Sequence, residues 1–163
     1  MTNDKPQGFY IGSWGTWGWI ETALKVIAGA FGIAAFAATS GAGDLIIGGN
    51  PELLALLLMA GLTTNPLISL PLRIGQKEII SIVYTLFSLL GHAGLLIALA
   101  RDPLNARGYG IAFGVFYTLG ELAKMRFLQV SGYTEFGFNS GTMVNGVRFV
   151  AAAYALLTVL LAI

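Results

Sequence analysis

Five stretches of apolar sequence, each close to twenty residues long, dominate this chain and limit what it can fold into. They cover 20–39, 51–71, 79–100, 104–122 and 144–163. A helix rises about 1.5 Å per residue, so about 20 residues cross a hydrocarbon core of about 30 Å. Inside lipid every backbone N–H and C=O needs a partner within the protein, which a helix supplies from its own segment. The expected fold is therefore all-α: a polytopic transmembrane helical bundle of about five spans, in a single domain over 1–163. Composition agrees, because only 10% of the 163 residues are charged, against about a quarter in a soluble domain. Membrane lipid is then the solvent for much of the surface.

Local signals punctuate the runs. Ser40-Gly41-Ala42-Gly43 breaks the chain after the first. Asn50 can cap the second, with Pro51 in the first turn and Glu52 at the positive helix end. Arg101-Asp102-Pro103 stops the third, and the fourth has a short uncharged centre over 108–120, with Arg107 and Lys124 expected to snorkel from its ends. The first run begins only after Trp19 and reads as a span, not as a short leader segment.

With five spans, Lys5, Arg73, Lys77, Lys124, Arg126 and Arg148 fall on the side of the N-terminus, and Arg101 and Arg107 on the other. The positive-inside rule predicts a cytoplasmic N-terminus, in a cytoplasmic (inner) membrane. Trp14, Trp17 and Trp19 precede the first run, where indole rings favour the headgroup zone, and they are expected to act as interfacial anchors.

Several function classes are excluded or left without support. A net charge of +1 gives no reason to expect nucleic acid. The absence of cysteine removes disulfides, thiolate metal sites and cysteine nucleophiles. No phosphate loop, Gly-x-Ser-x-Gly elbow or His-Glu-x-x-His occurs, so neither a catalytic set nor a metal site is expected.

Three groups of residues carry chemistry in places where lipid makes polarity costly. His92, the single histidine, lies inside the third run, with Ser88 and Tyr84 one and two turns earlier on its face and Gly91 and Gly94 beside it. It could ligate a haem or chlorophyll-like pigment, or bond across a helix interface. Thr63-Thr64-Asn65-Pro66 interrupts the second run, and such breaks either kink a helix or line a transport site. Glu21 with Lys25, and Glu121 with Lys124, are spaced for local ion pairs, while Glu121 with Tyr117 one turn earlier could relay protons.

Helix faces are rich in small and aromatic residues. Gly29, Gly32, Ala30, Ala34 and Ala38 form a ladder in the first run, Gly110 and Gly114 recur in the fourth, and Tyr109, Phe113, Phe116, Tyr117 and Gly120 follow one helical face. The loop over 131–141 is apolar enough to cap the bundle or to dock a partner. Together these features favour a non-catalytic membrane subunit of a larger complex, contacting other membrane subunits or further copies of itself. A small oligomeric transporter or channel built on the kinked second run is the alternative, and a pigment-binding subunit using His92 is the third reading.

Overall fold

Long apolar runs with little charge give helix along almost the whole chain. The computed structural model describes residues 14–40, 50–75, 77, 79–134 and 138–163, and these form α1 (Gly15–Thr39), α2 (Asn50–Gly75), α3 (Ile79–Arg101), α4 (Pro103–Ser131) and α5 (Ser140–Ala162). The breaker at 41–43, the capping side chain of Asn50, the charges Lys5 and Asp44, and the middle of the 131–141 loop lie outside the described residues.

Helix ends follow their sequence signals. The Asp102 carboxylate accepts from the Asn105 N–H at 3.1 Å, with Pro103 opening α4 where a missing N–H is harmless. Gly132 closes α4 in the left-handed conformation, at φ 62°, and its N–H donates to the Leu128 carbonyl. Asn139 caps α5 through the Thr142 N–H at 2.8 Å. Arg107 does more than reach for water: its Nε donates to the Leu161 carbonyl at 2.5 Å and satisfies the far end of α5.

Four of the helices are long and apolar enough to cross a membrane: α1, α2 from Pro51, α3 and α5. α4 is the exception, at 29 residues the longest of the five but carrying Arg107, Glu121, Lys124 and Arg126. Its polar groups serve the bundle: α4 lies against α1, α3 and α5, Glu121 is buried among them and Arg107 bonds the end of α5. Around the bundle the order is α1, α3, α2, α5, α4, closing back onto α1. The starts of α1, α3 and α5 and the ends of α2 and α4 share one face, called here the N-terminal face.

Glycine decides how close the helices come. A Cβ at Gly91 would fall 2.5 Å from the Gly29 Cα, and one at Gly94 would fall 2.8 Å from the Gly32 carbonyl, so α1 and α3 touch backbone to backbone. Across the α4–α5 contact, a Cβ at Gly110 would meet Leu161 at 2.5 Å and one at Gly114 would strike Thr158. Such approaches replace the hydrophobic driving force that lipid does not supply. Away from the N-terminal face the interior is dry, filled by Met59, Leu95, Leu99, Phe113, Leu157 and Leu161.

The tryptophans divide. Trp17 and Trp19 stand on the outside of α1, as interfacial anchors would. Trp14 does not: it is 1% exposed, its ring 5.1 Å from that of Trp19, its Cβ lying over the notch that Gly18 leaves.

Candidate functional site

Glu21 and Lys25 are one turn apart on α1, an acid-before-base spacing that lets the ammonium reach back to the carboxylate. They do so at 2.8 Å, facing into the bundle with side-chain exposures of 3% and 5%. Lys25 is shared. Its Nζ also lies 2.6 Å from Glu121 Oε1 of α4, so one buried ammonium serves two buried carboxylates. Glu121 thus crosses to α1 and does not close the local pair with Lys124 expected from spacing. Gly120 makes the crossing sterically feasible, because any Cβ there would lie 2.8 Å from Lys25 Cγ. The ammonium also stands 5.4 Å from the centre of the Tyr117 ring, within cation–π range.

This triad sits on the wall of a cavity of about 360 Å³ that all five helices line. α2 contributes Asn65, Pro66, Ser69 and Arg73; α3 contributes Tyr84, Thr85 and Ser88; α4 adds Tyr117 and Lys124 to Glu121. The remaining wall is mainly apolar and comes from α5 and the residue before its cap: Phe138, Met143, Gly146, Val147 and Val150, with the Thr142 hydroxyl among them. Every contributor lies toward the N-terminal face of the bundle.

From the cavity a polar chain continues inward. The Tyr117 hydroxyl is hydrogen-bonded to Ser88 Oγ. His92, one turn beyond Ser88, is fully buried and places Nδ1 2.6 Å from the Ser88 carbonyl. A carbonyl can only accept, so Nδ1–H donates, which leaves Nε2 to accept from the Tyr154 hydroxyl at 2.5 Å. Tyr117 and Tyr154 stack at 4.3 Å between ring centres, and Phe113 and Tyr117 meet the imidazole edge-to-face at 5.0 and 4.6 Å.

This geometry bears on the pigment reading. Both His92 nitrogens are engaged within the chain, and Gly91 and Gly94 face the α1 backbone where a macrocycle would need open space. Among the described residues, no group of three His, Asp or Glu side chains gathers to hold a metal ion.

The break at Thr63–Pro66 is no interruption: α2 stays helical through both Pro66 and Pro71. Thr63 and Thr64 donate to the Met59 and Gly61 carbonyls at 2.7 and 2.6 Å, while the carbonyl deprived of its partner by Pro66 belongs to Leu62. Ser69 donates to Asn65 O at 2.8 Å. Asn65 and Pro66 join the cavity wall, Thr63 and Thr64 do not.

So the structure gathers Glu21, Lys25, Glu121, Lys124, Tyr84, Ser88, Asn65 and Pro66 around one cavity, with His92 behind it. Sequence reading missed Arg73, Ser69, Thr85 and Tyr154 as members. Two signals point to the first three: Asn65, Ser69 and Arg73 recur every fourth residue along α2, and Ser81, Thr85, Ser88 and His92 recur at helical spacing along α3. Tyr154 gives none beyond being the one phenol in an apolar helix. Compared with known proteins, the chain matches no family model, no curated protein and no solved structure.

Proposed function

We propose that the chain is a small membrane carrier whose solute binds in the cavity at the N-terminal face. The observation that carries this reading is the Lys25 ammonium held between Glu21 and Glu121 on the wall of a cavity that every helix helps to build. Buried charge in a membrane helix is expensive, and a scaffold gains little from it: apolar side chains would hold the same helices together at lower cost. A cavity with a few converging polar groups and a mainly apolar remainder is the usual form of a small-molecule site. The polar chain through Tyr117, Ser88 and His92 to Tyr154 extends the same site toward the middle of the bundle.

Most of the glycine and aromatic contacts that favoured an accessory subunit are used within the chain, while Ala30 and Ala38 of the first ladder stay exposed. Gly29 and Gly32 meet Gly91 and Gly94, Gly110 and Gly114 meet α5, Phe113 and Tyr117 stack in the interior, and Phe116 stacks on Phe31 at 5.7 Å. The apolar residues left outside, such as Leu57, Ile68, Val83 and Phe149, are those lipid covers.

The test is uptake by proteoliposomes offered a panel of radiolabelled carboxylates, amino acids and amines. At least one solute should accumulate above protein-free liposomes, and Asn65→Leu should slow it. No uptake of any solute, together with a large assembly of other polypeptides on mild extraction from native membranes, would return the chain to the subunit reading.

A further inference from the structure

We infer that the cavity is selective for an organic monoanion with an apolar body, its charged oxygens meeting Lys124 and its body lying on the α5 wall. The assignment rests on the carrier reading for transport, and on the cavity alone for binding.

Charge at the wall decides the sign. Among the described residues, Glu21, Glu121, Lys25 and Lys124 face the cavity beside Arg73, and both carboxylates turn to the same lysine. Each carboxylate already commits an oxygen to Lys25, at 2.8 and 2.6 Å. An incoming cation would meet those carboxylates with the Lys25 ammonium, a like charge, already between them. An anion meets a different situation, because Lys124 is half-buried in the wall and, among the described residues, forms neither an ion pair nor a hydrogen bond. With no partner there, its ammonium is available to a ligand.

The opposite wall decides the rest. Pro66, Met143, Val147 and Val150 offer no side-chain hydrogen bond and Thr142 beside them offers one hydroxyl, so a sugar or a multiply charged solute would lose more hydration there than the wall replaces. A small apolar body loses nothing, and about 360 Å³ falls within the size of small-molecule sites. A single negative group on an apolar skeleton satisfies both walls at once. Free organic acids and anionic lipid headgroups share that chemistry.

The full chain in phosphatidylcholine nanodiscs would be titrated calorimetrically with benzenesulfonate, benzyltrimethylammonium and benzyl alcohol, which share a ring and differ in charge. Benzenesulfonate should bind, with the cation and the neutral alcohol at least about tenfold weaker. Lys124→Gln should weaken benzenesulfonate about tenfold at unchanged thermal stability, and Lys124→Arg should restore it. Equal binding of the cation, or unchanged sulfonate affinity in Lys124→Gln, would overturn the assignment. Competition by added phosphatidylglycerol would identify a lipid headgroup as the anion's source, and its absence a free solute. Binding of benzenesulfonate without uptake by proteoliposomes refutes the carrier while the ligand class stands. Uptake confined to amines upholds the carrier and overturns the ligand class.

Discussion

Gly120 of α4 and Lys25 of α1 occupy the same space, in the sense that a single methyl on the glycine would sit 2.8 Å from Lys25 Cγ. The obstructing atom is in the middle of the lysine side chain, so it cannot swing aside without moving the ammonium. Gly120→Ala should therefore disturb the ion pair with Glu121 and lower stability by about 1–3 kcal/mol, the usual cost of overpacking. Thermal unfolding in detergent measures it, and an unchanged midpoint would mean that Lys25 has another path to its carboxylates.

Glycines elsewhere should separate into two groups by the same measurement. Gly91→Ala forces apart two backbones, since its Cβ would meet the Gly29 Cα at 2.5 Å, and the loss should reach the upper end of about 1–3 kcal/mol. Gly61→Ala and Gly108→Ala meet nothing within 4 Å and should stabilise by about 0.5–1 kcal/mol through helix propensity. Similar effects at all three positions would contradict the close α1–α3 crossing.

The triad makes an unequal prediction for its members. Lys25→Met strands two buried carboxylates and should cost about 3–5 kcal/mol, whereas Glu21→Gln leaves the 2.6 Å contact between Lys25 and Glu121 in place and should cost less. Combining Lys25→Met with Glu121→Gln removes a stranded charge and should recover part of the loss. Additive losses in that pair would show that the two side chains act independently.

Orientation follows from the arginines and lysines. Arg73, Lys77, Lys124, Arg126 and Arg148 belong to the N-terminal half of the bundle and Arg101 and Arg107 to the other, so the N-terminal face and its cavity are expected to face the cytoplasm. A reporter active only in the cytoplasm should stay silent when fused after Ile163. Activity there would invert the bundle and open the cavity to the other side.

Contacts within one helical turn were legible in the sequence, and contacts between helices were not. Glu21 with Lys25 and Ser88 with His92 follow from four-residue spacing alone. Glu121 has Lys124 at local spacing, yet its partner is Lys25, because the glycine contacts of α1 and α4 set a register that no single helix contains. Tyr154 stands 62 residues from His92, and only the parallel placement of α3 and α5 unites them. The five helices themselves were clear, since long apolar runs leave few alternatives. The less apolar α4 shows where hydropathy weakens: a helix that turns a carboxylate inward, as α4 does with Glu121 toward Lys25, loses apolar score without turning that charge to lipid.

α2 stands apart from the rest in how it is fastened. α1 and α3 meet backbone to backbone at glycines, and the glycines of α4 take in the Leu161 and Thr158 side chains of α5, while Gly61 and Gly75 of α2 approach nothing. α2 rests on α3 and α5 and forms the cavity wall that holds Asn65, Pro66, Ser69 and Arg73. Pro66 and Pro71 each remove one rung of its hydrogen-bond ladder within the same stretch, which lowers its stiffness where it borders the cavity. Four helices thus make a frame, and the two prolines put the most pliable stretch of the remaining helix along the cavity that the frame surrounds.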